Sequence, residues 1–221
     1  MCSSDLYVLS RQVTPLEALE SGAKAILGRS LDERERDNFS KYLTLLLKWQ
    51  KSHRLVGSND PMWIVEHLFL DSLLFLRLLP SSPRSLADLG SGAGLPGLPI
   101  KIVCPDIDVV LIESRRRRAM FLTSAVRAMK LEGVRVLEGR VEGFVSELRG
   151  AFDAVVMRCA GNIEVMIPVA ADLVADHGIV VASGPPNPKP LSIGDWVTVP
   201  GLRRGMFRRF ATYTKGFAPE R

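Results

Sequence analysis

Apolar residues recur at helical spacing through the first third of the chain. Thr14-Pro15-Leu16-Glu17 reads as a helix start: Thr14 caps, Pro15 suits the first turn and Glu17 closes a capping box. Ser30-Leu31-Asp32-Glu33 repeats the signature. Phe39, Leu43, Leu46, Leu47 and Trp49 then line one face of a helix predicted over Leu31–Lys51. Asp60-Pro61 opens a third helix, Met62–Leu79, which Pro80-Ser81-Ser82-Pro83 ends.

Near residue 84 the pattern changes. Short apolar runs predict strands at Ser85–Leu89, Asp108–Ile112, Val134–Leu137, Phe152–Met157 and Gly178–Ala182. Helical stretches fall between them at Pro96–Val103, Arg115–Lys130, Val141–Arg149 and Ile163–Ala175. Strand and helix in turn imply an α/β fold, a mostly parallel sheet with helices on both faces. Right-handed crossovers then set the strand C-termini along one edge, where ligands bind. From Gly184 the chain is rich in Pro and Gly, with further strands expected at Trp196–Val199 and Met206–Thr214. The expected division is a helical extension over 1–84, packed on a ligand-binding domain over 85–221.

Composition narrows the class without changing this picture. At 221 residues, 47% hydrophobic and 24% charged, the chain is ordinary globular material rather than disordered or low-complexity. Its cysteines, Cys2, Cys104 and Cys159, are odd in number and widely spaced, so neither a disulfide scaffold nor a structural zinc site is expected. No apolar signal segment occupies the first 25 residues, and no apolar run approaches a membrane span. A cytoplasmic protein without metal or membrane is the expectation, and a monomer. With 29 Lys+Arg against 24 Asp+Glu, the formal charge of +5 permits an acidic partner such as nucleic acid without demanding one.

The chemistry concentrates in Leu86-Ala-Asp-Leu-Gly-Ser-Gly-Ala-Gly-Leu-Pro-Gly-Leu-Pro-Ile100. A strand runs into Asp88, and Gly90, Gly92, Gly94 and Gly97 follow, a loop that a ligand can approach closely. The next strand ends in Glu113, placed to accept hydrogen bonds from the ribose hydroxyls of a nucleoside. The same glycines match a dinucleotide fingerprint, so an NAD-dependent oxidoreductase is a competing reading. Pro96 and Pro99 discriminate. They fall in the first helical turn and remove two N–H groups that a pyrophosphate would use. S-adenosyl-L-methionine, with no phosphate, loses nothing by this, and Asp88 suits its cationic methionine end. Glu142, after the third strand, falls where the adenine would sit. Arg158, ending the fourth, faces the same site.

These residues resemble a known family. Asp88 to Pro99, as Asp-x-Gly-x-Gly-x-Gly-Leu-Pro-Gly-x-Pro, is similar to the signature of the GidB/RsmG family of bacterial 16S ribosomal RNA (guanine-N7) methyltransferases. Glu113-Ser114, Arg117-Arg118, Phe121-Leu122, Arg140-Val141-Glu142 and Phe152-Asp153 through Arg158 extend the likeness. So do Leu47-Lys48-Trp49-x-Lys51 and Asp60-Pro61 through Leu70-Asp71-Ser72 upstream. The resemblance spans roughly residues 30–182. It implies a Rossmann-like class I methyltransferase fold with an N-terminal helical extension. It implies S-adenosyl-L-methionine as cofactor, with contacts at Gly90, Leu95, Val141, Glu142 and Arg158. It also implies 16S rRNA or the small ribosomal subunit as partner.

The family's late Leu-Lys-Gly element reads Ala182-Ser183-Gly184 here, without the lysine. That leaves a non-catalytic RNA-binding relative as a third reading. Guanine N7 carries a lone pair and no proton, so no general base is expected; catalysis would rest on positioning. Two basic segments are candidates for RNA. Arg115, Arg116, Arg117 and Arg118 follow Glu113, and as four cations at a helix start they oppose the helix dipole. The tail Gly201–Arg221 carries Arg203, Arg204, Arg208, Arg209, Lys215 and Arg221 against Glu220. Its interleaved Phe207, Phe210 and Tyr213 read better as an edge strand with core aromatics than as a stacking surface.

Overall fold

The computed structural model describes residues 13–158, 162–202 and 205–216. Cys2, Cys159, Arg203, Arg204 and Arg221 lie outside them.

The helical extension is built by its caps. In α1 (Pro15–Leu27) Thr14 and Glu17 close a reciprocal capping box, and Gly28 ends the helix in the left-handed conformation. In α2 (Glu33–His53) the box forms between Asp32 and Glu35, two residues later than Ser30 suggested. The third predicted helix is a broken run. It comprises α3 (Pro61–Ile64), a π-helical turn Val65–Phe69, α4 (Leu70–Leu73) and a 3-10 turn Leu74–Arg77.

Among the described residues, seven strands form one sheet: β1 (Ser85–Leu89), β2 (Asp108–Glu113), β3 (Val134–Glu138), β4 (Phe152–Arg158), β5 (Val174–Ser183), β6 (Asp195–Pro200) and β7 (Phe207–Thr214). Their order is β3-β2-β1-β4-β5-β7-β6. The first five pair in parallel, and β7 runs antiparallel to β5 and β6. Between strands lie α5 (Gly97–Val103), α6 (Arg116–Ala128), a 3-10 turn Val141–Gly143, α7 (Val145–Leu148) and α8 (Ile163–Leu173). Strand β5 starts four residues before the expected Gly178. Phe152 pairs with Val174 but Ala154 with Ile179, so a bulge holding His177 at φ 66 interrupts the apolar run.

The central strands are buried on both faces, as parallel sheets require. Leu86, Val109, Leu111, Val156 and Val181 point to one core, shared with α1, α2, α5 and α6. Ala87, Leu89, Val110, Val155 and Val180 point to the other, under α8. Asp88 alternates with Leu86, so its side chain faces the helical extension. No helix among the described residues is long and apolar enough to cross a membrane. No described group of His, Cys, Asp and Glu side chains could hold a metal ion.

Candidate functional site

The loop after β1 folds onto its own donors and acceptors. Gly90 and Ser91 N–H donate to the Ile112 carbonyl, and Gly94 and Leu95 N–H to the Ser91 carbonyl. Gly92 N–H donates to Glu113 Oε2 at 2.9 Å. Gly90, Gly92 and Gly94 have φ of 68°, 58° and 90°, the left-handed region that favours glycine.

Asp88 sits at the centre, fully buried. Its Oδ2 accepts from Gly97 N–H at 2.9 Å, the first residue of α5. Only glycine fits there: a Cβ at position 97 would lie 2.6 Å from Leu111 Cδ2 and 2.8 Å from Asp88 Oδ2. Asp88 Oδ1 is buried without a hydrogen-bond partner among the described residues. Burial pushes this carboxyl up to about 7, against the Gly97 hydrogen bond that favours the charged form.

The start of α5 offers nothing to a phosphate. Gly97 N–H is held by Asp88, and Leu98 N–H donates to the Gly94 carbonyl at 2.8 Å. Pro96 takes the cap position, one residue before the helix, and Pro99 falls in the first turn. A cationic group beside Asp88 Oδ1 would satisfy both the orphan oxygen and the displaced titration. A pyrophosphate would meet spent donors and a buried acid.

Glu113, buried at the end of β2, also holds Arg115 N–H through Oε1 at 2.7 Å. Its carboxylate therefore pins both the glycine loop and the start of α6, a helix with no side-chain cap. Two of its roughly four acceptor positions stay open to hydroxyl donors. Gly139 N–H donates to the Glu113 carbonyl, so the turn after β3 lies alongside, with Val141 buried and Glu142 exposed. Leu95 is buried under the loop.

The four arginines after Glu113 are not equivalent. Arg115, Arg116 and Arg117 are exposed, whereas Arg118 is half-buried, its Nη1 3.6 Å from where a Gly92 Cβ would stand. Arg118 thus lies over the glycine loop. Arg158 ends β4 at the same edge, and its guanidinium turns onto the helical extension. Nη2 donates to the His67 carbonyl at 2.5 Å and lies 3.3 Å from Asp71 Oδ2.

The C-terminal cations that the structure describes are tied down. Arg208 pairs with Asp71 at 2.7 Å, Arg209 donates to the Pro186 carbonyl and Lys215 to that of Val174. Phe210 is fully buried and Tyr213 packs half-buried on the second core, while Phe207 is 64% exposed, so the core-aromatic reading fits two of the three rings; β7 lies between β5 and β6 rather than at the edge.

Two elements of the site escaped the sequence reading. Tyr42 of α2 is fully buried, stacked on Phe69 at 4.7 Å, and its hydroxyl donates to the Ala93 carbonyl in the glycine loop. A tyrosine on the apolar stripe was the available signal, since a buried hydroxyl needs a partner. Asp71 stands in the family-like Leu70-Asp71-Ser72 stretch, but its ion pairs with Arg158 and Arg208 join residues 87 and 137 positions apart, which no local spacing announces.

Residues 35–184 match the family model described as GidB, rRNA small subunit methyltransferase G. Ribosomal RNA small subunit methyltransferase G of Methylobacillus flagellatus is 36% identical over 75% of this chain and 78% of its own length. The protein of that name from Sorangium cellulosum is 36% identical over 88% of this chain and 82% of its own. Among solved structures, a precorrin-6y C5,15-methyltransferase from Geobacter metallireducens superposes with a TM-score of 0.50 at 15% identity. It covers 74% of this chain and 92% of its own. A mutant of the protein MtNAS superposes with 0.56 at 15% identity, over 89% and 81%. These two likenesses carry the fold alone. The family match, the methyltransferase sheet order and the glycine loop converge: this chain belongs to the rRNA small subunit methyltransferase G family and is a methyltransferase.

Proposed function

We propose that this protein transfers a methyl group from S-adenosyl-L-methionine to N7 of a guanine in 16S rRNA, in the cytoplasm. The carrying observation is the buried, orphaned Asp88 Oδ1 beside a helix start whose donors are all spent or absent. That combination suits a ligand with a cationic end and no phosphate.

When bound, S-adenosyl-L-methionine supplies a methyl group on a positively charged sulfur. The chain's residues orient it. Asp88 balances the ammonium of the methionine moiety. Glu113, already pinned by Gly92 and Arg115 N–H groups, accepts from the ribose hydroxyls. Gly90, Gly92, Gly94 and Leu95 form the floor, Val141 and Glu142 flank the adenine, and Arg158, held by the His67 carbonyl and Asp71, closes the side toward the helical extension. The N7 lone pair forms the new N–C bond as the S–C pair returns to sulfur, and no proton moves. No side chain need act as base, and acceleration comes from alignment. Arg115, Arg116 and Arg117 meet RNA phosphates, with Arg118 between the two ligands. In this reading residues 1–84 form the helical extension and 85–221 the cofactor-binding domain.

Calorimetry tests the first half: wild-type protein binds S-adenosyl-L-methionine and not NAD. Mass mapping of small-subunit rRNA with and without the protein tests the second. A 7-methylguanine that depends on this protein is the expected result, and an identical modification map would sink the reading.

A further inference from the structure

Beyond the strand ends that carry the glycine loop lies a second, separate cleft of about 820 Å³. It is walled by the first turn of α8 and by the connection from β5 to β6, with Glu164, Gly184, Pro185, Pro186 and Trp196 among its lining. We propose that this cleft seats the everted guanine whose N7 is methylated. In it, Trp196 forms the stacking wall and Glu164 reads the Watson–Crick edge. The inference rests on the functional reading above and deepens it.

The cleft is built rather than incidental. The Trp196 ring packs directly on Gly184, where any Cβ would run into the indole. Its Nε1 donates to the Lys189 carbonyl at 2.8 Å, which fixes the plane of the ring. Gly184 N–H donates to the Arg209 carbonyl at 2.8 Å, and Arg209 Nη1 to the Pro186 carbonyl at 2.6 Å, so the proline-rich wall is braced from β7. A fixed indole and a braced run of prolines lining one cleft suit a planar base removed from its stack. The volume lies within the range of small-ligand clefts.

Position agrees with the chemistry. Ser183, at the inner end, pairs in register with Arg158 of β4, and β4 pairs with β1. Two strand spacings, about 10 Å, therefore separate it from the end of β1. A base in the cleft can reach toward the cofactor loop without overlapping it.

Glu164 supplies the polar end. Its Oε1 accepts from Ser192 N–H at 2.8 Å, and its Oε2 makes no hydrogen bond among the described residues. A carboxylate so held accepts the N1–H and N2–H donors of guanine, while adenine offers it a lone pair at N1. N7 lies on the opposite edge of the purine and is turned away from Glu164. As N7 gains the methyl group, the purine becomes positively charged. An indole face and a carboxylate then bind the transition state more tightly than the ground state.

The test is steady-state methylation of small-subunit rRNA by the full-length E164Q, W196L and W196F variants, with cofactor affinity measured in parallel. In E164Q the amide oxygen still accepts from Ser192 N–H, so the fold is spared. E164Q and W196L should each lower kcat/KM roughly ten- to hundredfold, with part of the loss in kcat, at unchanged cofactor Kd. W196F, which keeps an aromatic face, should recover most of the W196L loss. Wild-type kinetics in both E164Q and W196L would overturn the assignment. So would a parallel loss of cofactor affinity, which would make these residues structural. A wild-type protein that binds the cofactor yet methylates no rRNA would overturn the functional reading itself, and this inference with it.

Discussion

The two ends of the strand-end edge are built on opposite plans. Over β1, β2 and β3, the loop donors are consumed internally, and among the described residues Asp88 Oδ1 is left a buried orphan. Over β4, β5 and β7 the walls come from a proline-rich connection, and Glu164 keeps one carboxylate oxygen outside any hydrogen bond among the described residues. The first plan suits a small ligand of fixed shape, whose site can be preorganised to the last hydrogen bond. The second suits a macromolecule that brings its own structure and needs only a seat for one base and phosphate contacts around it.

The contrast breaks first at Gly97. G97V would drive its side chain into Leu111 and the Asp88 carboxylate. Overpacking of this kind costs about 1–3 kcal/mol, and it dislodges the acid proposed to face the cofactor's cationic end. We expect cofactor affinity to fall at least about 100-fold by calorimetry, the equivalent of two 1.4 kcal/mol steps. A comparable insertion at Gly57, with nothing within 4 Å, should leave affinity unchanged.

Tyr42 is next. Y42F keeps the stack on Phe69 but leaves the Ala93 carbonyl buried without its donor. Such an orphan costs about 1–3 kcal/mol. For a chain of this size each kcal/mol lowers Tm by about 2–4 °C. The loss should shrink when cofactor is present if the bound ligand fixes the loop from its other side; differential scanning fluorimetry reads both values.

How much of this was legible follows the same division. The cofactor side is local in sequence: Asp88, the glycines, the prolines and Glu113 fall within 26 residues, and their spacing alone argues the chemistry. Strands β1, β2 and β4 were equally legible, because strands buried on both faces read as apolar runs, and the edge strand β3 was legible from its valines although Arg135 and Glu138 are exposed. The far side is assembled from distant pieces. Gly184 needs Trp196, Arg209 braces Pro186, and Asp71 meets Arg208 across 137 positions. Each residue alone reads as an ordinary loop or surface residue. The basic tail shows the same limit. Counting charges found its cations, but Arg208 and Lys215 spend theirs on Asp71 and a carbonyl, which only the fold could show.

Titration separates the two sides again. Free Asp88 titrates near 7 because burial disfavours its charge, and a cationic ligand beside it favours the ionised form. Binding below pH 7 must therefore release a proton. While the ligand's ammonium keeps its charge, cofactor affinity should fall as pH drops through 7, approaching tenfold per pH unit. D88N should bind more weakly and lose that dependence. A wild-type profile with no inflection between pH 6 and 8 would show that Asp88 does not face the cationic end.

The smallest effect belongs to the outer arginines, and it sharpens the contrast rather than breaking it. Arg115, Arg116 and Arg117 are exposed, while Arg118 reaches back over Gly92. Replacing Arg116 and Arg117 together by alanine should raise KM for rRNA a few-fold at moderate salt. It should also make the logarithm of affinity less steep in salt by about one to two units, because fewer counterions are released. Cofactor Kd and kcat at saturating RNA should not change. R118A should differ in kind: its side chain sits above the loop that holds the cofactor, so it should weaken cofactor binding as well. If all four arginines behaved alike, the run would be a uniform phosphate-binding strip. The division at Arg118 would then not mark the boundary between the two sites.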